Sequence, residues 1–359
     1  MPDRRFIHIG FFAGAGIIIQ LLTYFTGTGY FLTQLTMSSY YAIVIIGLCM
    51  LMGYAGQISI GHAGFFAIGG YLSSAMTTHD LTPFKGSLPV RLLDSIGFLV
   101  DRQGLYGEQI LHFQPWVSFI FAVLVTVAIA YLIGGPVLKL KGHYLAMATL
   151  GFGTIIYSIV IGTPVFGEAD GISDVPAFAL LPGLTVSGKM SVRIENFYIA
   201  WGLMSICMLL LLNLVNSRVG RALRSIHSAE DAANAMGVDT ATYKLRIFVI
   251  SAVFASVAGV LMTHFNGGIG PSEASIMKSV RYVAIVAVGG MANLWGALIM
   301  GLVLNFLSLR GYFGSLDDAV FGGILIVIML FSPKGLLRKE TLSYMRDIVL
   351  QRGSEEDNA

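Results

Sequence analysis

Apolar residues in this chain come in runs long enough to cross a bilayer, not in the one-faced stripes of a water-soluble domain. Such runs need about 17–25 residues, fewer where a helix is broken. They lie near 6–26, 37–54, 63–78, 115–135, 144–162, 197–215, 245–265, 280–292, 295–311 and 318–332. The pattern predicts an all-α polytopic membrane protein of about ten helices, the third and eighth short. The first run follows Asp3-Arg4-Arg5 and has no small-x-small cleavage site behind it, so it is expected to stay as an uncleaved span. Composition agrees: of 359 residues 55% are hydrophobic and 12% charged, with a mean hydropathy of +0.77. A soluble domain carries about a quarter charged residues. The net charge of +2 is too small for a nucleic-acid binder. Cys49 and Cys207 both sit inside apolar runs and read as packed thiols.

One interruption stands out. The run ending at Met52 gives way to Gly53-Tyr54-Ala55-Gly56-Gln57-Ile58-Ser59-Ile60-Gly61-His62-Ala63-Gly64-Phe65-Phe66, and a second run starts at once. No charge lies between Ser38 and His79, which places the break at membrane depth or its edge. Non-helical backbone survives there only inside protein or along a wet path, and broken helices of this kind border the substrate in transporters. Close helix packing would explain the glycines. It does not explain Gln57 and Ser59, because buried polar groups need partners. Gly56, Gln57, Ser59, Gly61 and His62, with Phe65 and Phe66 in the next helix, are therefore the candidate lining of a translocation path. A lone histidine such as His62 or His143 more often packs than relays protons. Val288-Gly289-Gly290-Met291-Ala292-Asn293-Leu294-Trp295-Gly296-Ala297 is a second glycine-rich break and a faint echo of the first.

Basic residues orient the chain. With the N-terminus inside, the cytoplasmic side receives Arg4, Arg5, Lys139, Lys141, Arg218, Arg221, Arg224, Lys244, Arg246 and the basic tail, so both termini are expected to be cytoplasmic. Two long loops, 79–114 and 163–196, fall on the outer side. Loops of such length are uncommon without a task, and they offer a docking platform. The cytoplasmic segment 216–244 predicts two short helices. Ser228 is the expected cap of the second, with Asp231 at the reciprocal position, and Gly237 suits its left-handed end. Ala229, Ala232, Ala233 and Met236 share one face, and Leu223 with Ile226 form a smaller one just before. Alanine-rich faces bury little area in lipid, so a protein partner is the expected occupant.

Several chemistries are missing. The chain has no Gly-x-x-x-x-Gly-Lys-Ser/Thr, no His-Glu-x-x-His, no Cys-x-x-Cys and no Gly-x-Ser-x-Gly, so neither nucleotide, metal nor nucleophile chemistry is expected, nor any cofactor. Glu168, Asp170, Glu273, Asp317 and Asp318 fall in loops or at helix ends. Ion-driven carriers keep an intramembrane carboxylate or comparable site, so an outside power source is expected.

The residues above resemble the permease of branched-chain amino acid ABC importers, in particular its longer M-type subunit. The resemblance rests on Gly53–Ala63, on Leu140-Lys141-Gly142-His143-Tyr144-Leu145-Ala146-Met147-Ala148-Thr149-Leu150-Gly151-Phe152 and on Asp170-Gly171-Ile172. It continues through Ser217-Arg218-Val219-Gly220-Arg221-Ala222-Leu223, Ala232-Ala233 with Met236-Gly237-Val238, Tyr243-Lys244, Val288-Gly289-Gly290 and Phe331-Ser332-Pro333-Lys334-Gly335-Leu336. It implies a type II importer-like permease domain over 1–337 with a cytoplasmic tail over 338–359, in a bacterial inner membrane. It also implies a paralogous second permease, two cytoplasmic ATPases and a periplasmic binding protein as partners. Segment 216–238 would hold the coupling helices, with Gly220, Arg221, Ala222, Leu223, Ile226, Glu230, Ala233, Met236 and Gly237 carrying the ATPase contact. The motifs do not separate branched-chain amino acids from urea or short amides, and an ion-coupled secondary transporter is the alternative of a different class. Loop 79–114 is longer than the resemblance leads one to expect.

Overall fold

The computed structural model describes residues 4–103, 109–311 and isolated positions between 319 and 330. The tenth apolar run as a whole, the motif from Phe331 to Leu336 and the tail 338–359 lie outside the described residues. Six described helices are long and apolar enough to span a membrane. These are α1 (Arg4–Phe25), α2 (Tyr30–Cys49, prolonged by a π-turn over Met50–Tyr54), α5 (Pro115–Val137), α6 (His143–Gly162), α7 (Arg193–Asn216) and α10 (Thr240–Asn266). Three of the expected spans are shorter helices: α3 (His62–Thr78), α11 (Ile276–Gly289) and α12 (Leu294–Leu309).

The described residues are mostly helical, as expected, and the two long loops add short strands. Between α3 and α5 the chain forms α4 (Leu88–Ser95) and an antiparallel hairpin, β1 (Leu99–Gln103) with β2 (Gln109–Phe113). Loop 163–196 contributes β3 (Ile172–Ser173) and the pair β4 (Phe178–Leu181) with β5 (Leu184–Val186). β3 pairs with β6 (Gly268–Ile269), which directly follows α10. Long connections must satisfy their own backbone amides, and short ladders do so where helices cannot continue. These segments gather at one end of the molecule, where Arg102 donates to the Asp174 carboxylate and backbone carbonyl.

α2 and α10 form the centre. Nearly every residue of α2 from Ser38 onward is buried, including Tyr40, Ile43, Ile45, Ile46 and Leu48. An apolar helix buried all round has no amphipathic stripe, which is why periodicity could not orient it. α10 lies along α3 and α5, while α2 lies against α7, α11 and α12. The crossing of α3 and α10 is closed by glycines whose hydrogens replace side chains. A Cβ on Gly259 would fall 2.1 Å from the Phe66 carbonyl oxygen, and one on Gly69 would fall 2.3 Å from that of Ser256. Small residues let helices approach like this where lipid supplies no hydrophobic drive. Further toward the loop-bearing end, Lys278 of α11 bonds both Glu273 and the Tyr41 hydroxyl, tying the start of α11 to α2.

Gly259→Val is expected to cost the fold about 3 kcal/mol or more, as overpacking against unyielding backbone does. Gly202→Ala, with nothing within 4 Å of the added carbon, is expected to be silent. Thermal unfolding in detergent distinguishes the two.

Candidate functional site

The break occupies residues 55–61, between the π-turn and α3. π-turns mark places where a helix is re-aimed, frequently at functional sites. Three amides in and beside it have partners outside the helical ladder. The Gln57 amide donates to the Leu51 carbonyl, that of Ile60 to Thr149 Oγ1 on α6, and that of Ala63 to Ser279 Oγ on α11. Gly56 holds φ +69°, a left-handed turn open to glycine. Gly61 is forced by proximity, because a Cβ there would lie 2.5 Å from the Thr149 carbonyl oxygen.

His62 is fully buried and bridges two serines: Ser59 at 3.0 Å through Nδ1 and Ser251 of α10 at 2.8 Å through Nε2. Phe65 packs against it, and Phe248 closes the ring cluster edge-on to both. Phe66 stacks on Tyr41. Gln57 is 2% exposed, and neither polar atom of its amide has a hydrogen-bond partner among the described residues. Of the predicted lining residues only Gly56 is exposed; Gln57, Ser59, Gly61, His62, Phe65 and Phe66 are buried in this conformation. The six buried ones are enclosed within the chain.

The two breaks meet. A Cβ on Gly53 would fall 2.1 Å from the Ala292 nitrogen, and the Tyr54 hydroxyl donates to the Ala292 carbonyl at 2.7 Å. Ala292 itself adopts φ +63°, a conformation held against the usual preference of a residue with a side chain. Asn293 caps α12 by accepting from Gly296.

Segment 216–239 lies against this meeting point as two short helices, α8 (Arg218–Ser228) and α9 (Glu230–Ala235). Ser217 caps α8, accepting from Val219. Gly220 lets α8 fold back on α7, since a Cβ there would sit 2.1 Å from the Val215 carbonyl oxygen, to which Arg224 also donates. Ala229, not Ser228, precedes α9, and the Ser228 hydroxyl donates back to Arg224 in α8. The expected capping box is absent because α8 runs on through Ser228. Gly237 has the left-handed φ expected, +83°.

The apolar faces point differently from the expectation. Leu223, Ile226, Gly220 and Ala233 are buried within the chain itself, while Arg221, Ala229, Ala232 and Met236 are exposed, Met236 by 85%. The larger aliphatic side chains serve internal packing, so the exposed surface of these helices is basic and alanine-rich. Glu230 is half-buried and ion-paired with the buried Lys244 of α10. Asn234 accepts from Thr240 in the same helix.

Two contacts of this segment were not legible beforehand. His227 lies beside the exposed Gly56, its Nδ1 2.7 Å from where a Cβ would be. Lys244, Phe248 and Ser251 fall on one face of α10 at i, i+4 and i+7, so a single stripe joins Glu230 at one end to His62 at the other. The stripe is visible in the sequence, but nothing there tells that its ends meet α9 and the break. Asp239 caps α10 through two bonds from Thr242, which hold its carboxyl below the usual aspartate range. That contribution is complete above an ordinary aspartate pKa and is lost as pH falls through the lowered value.

Residues 30–329, nearly all of the helical body, match the family described as branched-chain amino acid transport system / permease component. The chain belongs to that family. The permease is 30% identical to the high-affinity branched-chain amino acid transport system permease protein LivM of Salmonella typhimurium, over 84% of its own length and 68% of that protein. It is 28% identical to LivH of Escherichia coli, over 86% and 96%, and 24% identical to a probable LivM of Methanocaldococcus jannaschii, over 84% and 91%. No solved structure matches it. The permease is thus a multi-pass membrane transport subunit and not an enzyme.

Thr149→Val leaves the buried Ile60 amide without an acceptor and is expected to destabilise the permease by about 1–3 kcal/mol. Thr149→Ser keeps the acceptor and is expected to restore most of it. The midpoint of thermal unfolding for both variants checks this.

Proposed function

We propose that the permease is one half of the membrane gate of an ATP-driven importer for branched-chain amino acids. In this reading it is a type II importer-like domain of about ten helices in a bacterial inner membrane, with both termini cytoplasmic. It pairs with a paralogous permease, two ATPases grip α8 and α9, and a periplasmic binding protein delivers substrate to the end carrying the β-pairs. The family and the relatives' names support the substrate class. The lack of a nucleotide motif supports an external motor.

The observation that carries the mechanism is the double attachment of α8–α9 to the break. One attachment is direct, His227 on Gly56. The other runs through α10, from the Glu230–Lys244 pair to Ser251 and His62. A displacement of α8–α9 by closing ATPases moves the break and α10 together. Alternating access then needs only a bistable core that binding on either face biases. In this conformation Gln57, Ser59 and His62 form the closed plug, and reopening exposes them. The unpartnered Gln57 amide is the group with most to gain from a polar ligand or water when the plug parts.

Reconstitution with a second permease, two ATPases and a binding protein is expected to give leucine uptake that requires ATP, and the permease alone none. Uptake by the single chain driven by an ion gradient would instead establish a secondary carrier, and preference for urea or acetamide over leucine would move the substrate class. In the full assembly, His227→Ala with Lys244→Met is expected to cut uptake about tenfold or more while ATP hydrolysis persists. A proportional fall of both would deny the transmission role.

A further inference from the structure

The segment between α3 and α5 builds a small module with a core of its own: Val90 of α4, Leu99 of β1 and Leu111 of β2, with Leu93 and Phe113 packed against them. That core uses one side of α4. On the other side Leu88, Leu92 and Ile96 follow one another at i, i+4 and i+8, and they are 77%, 60% and 63% exposed. Phe84, in the turn just before, is 57% exposed and extends the ridge. Arg91 and Lys85, the latter in an exposed pair with Asp101 at 3.7 Å, flank it.

The position of this ridge is fixed by hydrogen bonds to a membrane span. The Phe98 carbonyl, two residues beyond Ile96, accepts from the amide of Gln114, the residue that precedes α5. The Leu81 amide, just past the end of α3, donates to the Leu111 carbonyl. Both ends of the module are therefore held at the mouth of two membrane helices. Trp116, in the first turn of α5 and partly exposed, marks the depth at which tryptophan sits in the headgroup layer.

We propose that α4 is an interfacial helix whose Phe84, Leu88, Leu92 and Ile96 ridge inserts into the bilayer surface, with Lys85 and Arg91 beside the lipid phosphates. An amphipathic helix with an apolar ridge and basic flanks, pinned at headgroup depth, has the chemistry of a lipid-surface element. A transient protein partner is a poorer fit. Surfaces used intermittently are about as polar as the rest of a protein, and a run of four large apolar side chains bared to water between encounters invites aggregation. This inference goes beyond the transport reading and does not depend on it.

The test uses the full-length permease in vesicles of phosphatidylethanolamine and phosphatidylglycerol. Leu92→Cys, and separately Ile96→Cys, carry an NBD fluorophore; the native Cys49 and Cys207 are buried and leave labelling to the new thiol. Asp94→Cys, on the exposed edge away from the ridge, is the comparison. At positions 92 and 96, lipids bearing a nitroxide high on the acyl chain are expected to quench the label, and dithionite to reduce it about tenfold more slowly than at position 94. Equal dithionite rates at all three positions would show a solvated helix and overturn the proposal. Protection from dithionite without lipid quenching would show a protein cover and overturn it as well.

Discussion

The structure depends on satisfying a stretch of unwound backbone where no water is guaranteed. Residues 55–61 give up helical hydrogen bonds in a region bounded by buried helices, and each lost bond there is worth more than in water. Replacements for two amides come from α6 and α11, Thr149 for Ile60 and Ser279 for Ala63, while side-chain bonds from Ser59 through His62 to Ser251 add a tie to α10. Three helices distant in sequence are thereby fastened to one short segment. Anything that shifts one of them alters the hydrogen bonding of the break.

Glycine supplies the second condition. Gly53 against Ala292, Gly61 against Thr149, and Gly69 and Gly259 across α3 and α10 all bring backbone within reach of backbone. Such contacts carry no side-chain slack. α8 approaches the break where His227 lies close to Gly56, and α9 is tied to α10 by the Glu230–Lys244 pair.

Much of this was legible in the linear chain. The helices from α1 to α12 that were read as spans follow the apolar runs to within a few residues at most ends, α2 starting earlier because Tyr30–Thr36 carries no breaker. The break and its glycines were found from the polar interruption alone. What escaped was direction. Leu223 and Ile226 share a face as helical spacing indicates but pack inside the chain and not on a partner, and Ala233 is buried apart from Ala229, Ala232 and Met236, with which spacing grouped it. Spacing identifies a face and says nothing about what covers it. The β-pairs escaped because two- to five-residue strands are too short for alternation to register, and the role of Ser228 because a capping signature cannot say which of two adjoining helices owns the serine.

Residue order by itself decided that this is a membrane protein, where its helices are interrupted, that it carries no nucleotide motif of its own, and which family it belongs to. Those properties live in composition, run length and local motif, which need no folding to be read. Only the tertiary arrangement decided that the two glycine-rich breaks face each other, that His227 rests on Gly56, and that Gln57, Ser59 and His62 are closed in. Such contacts join residues separated by most of the chain, and a helix buried on every side leaves no periodic trace of its neighbours.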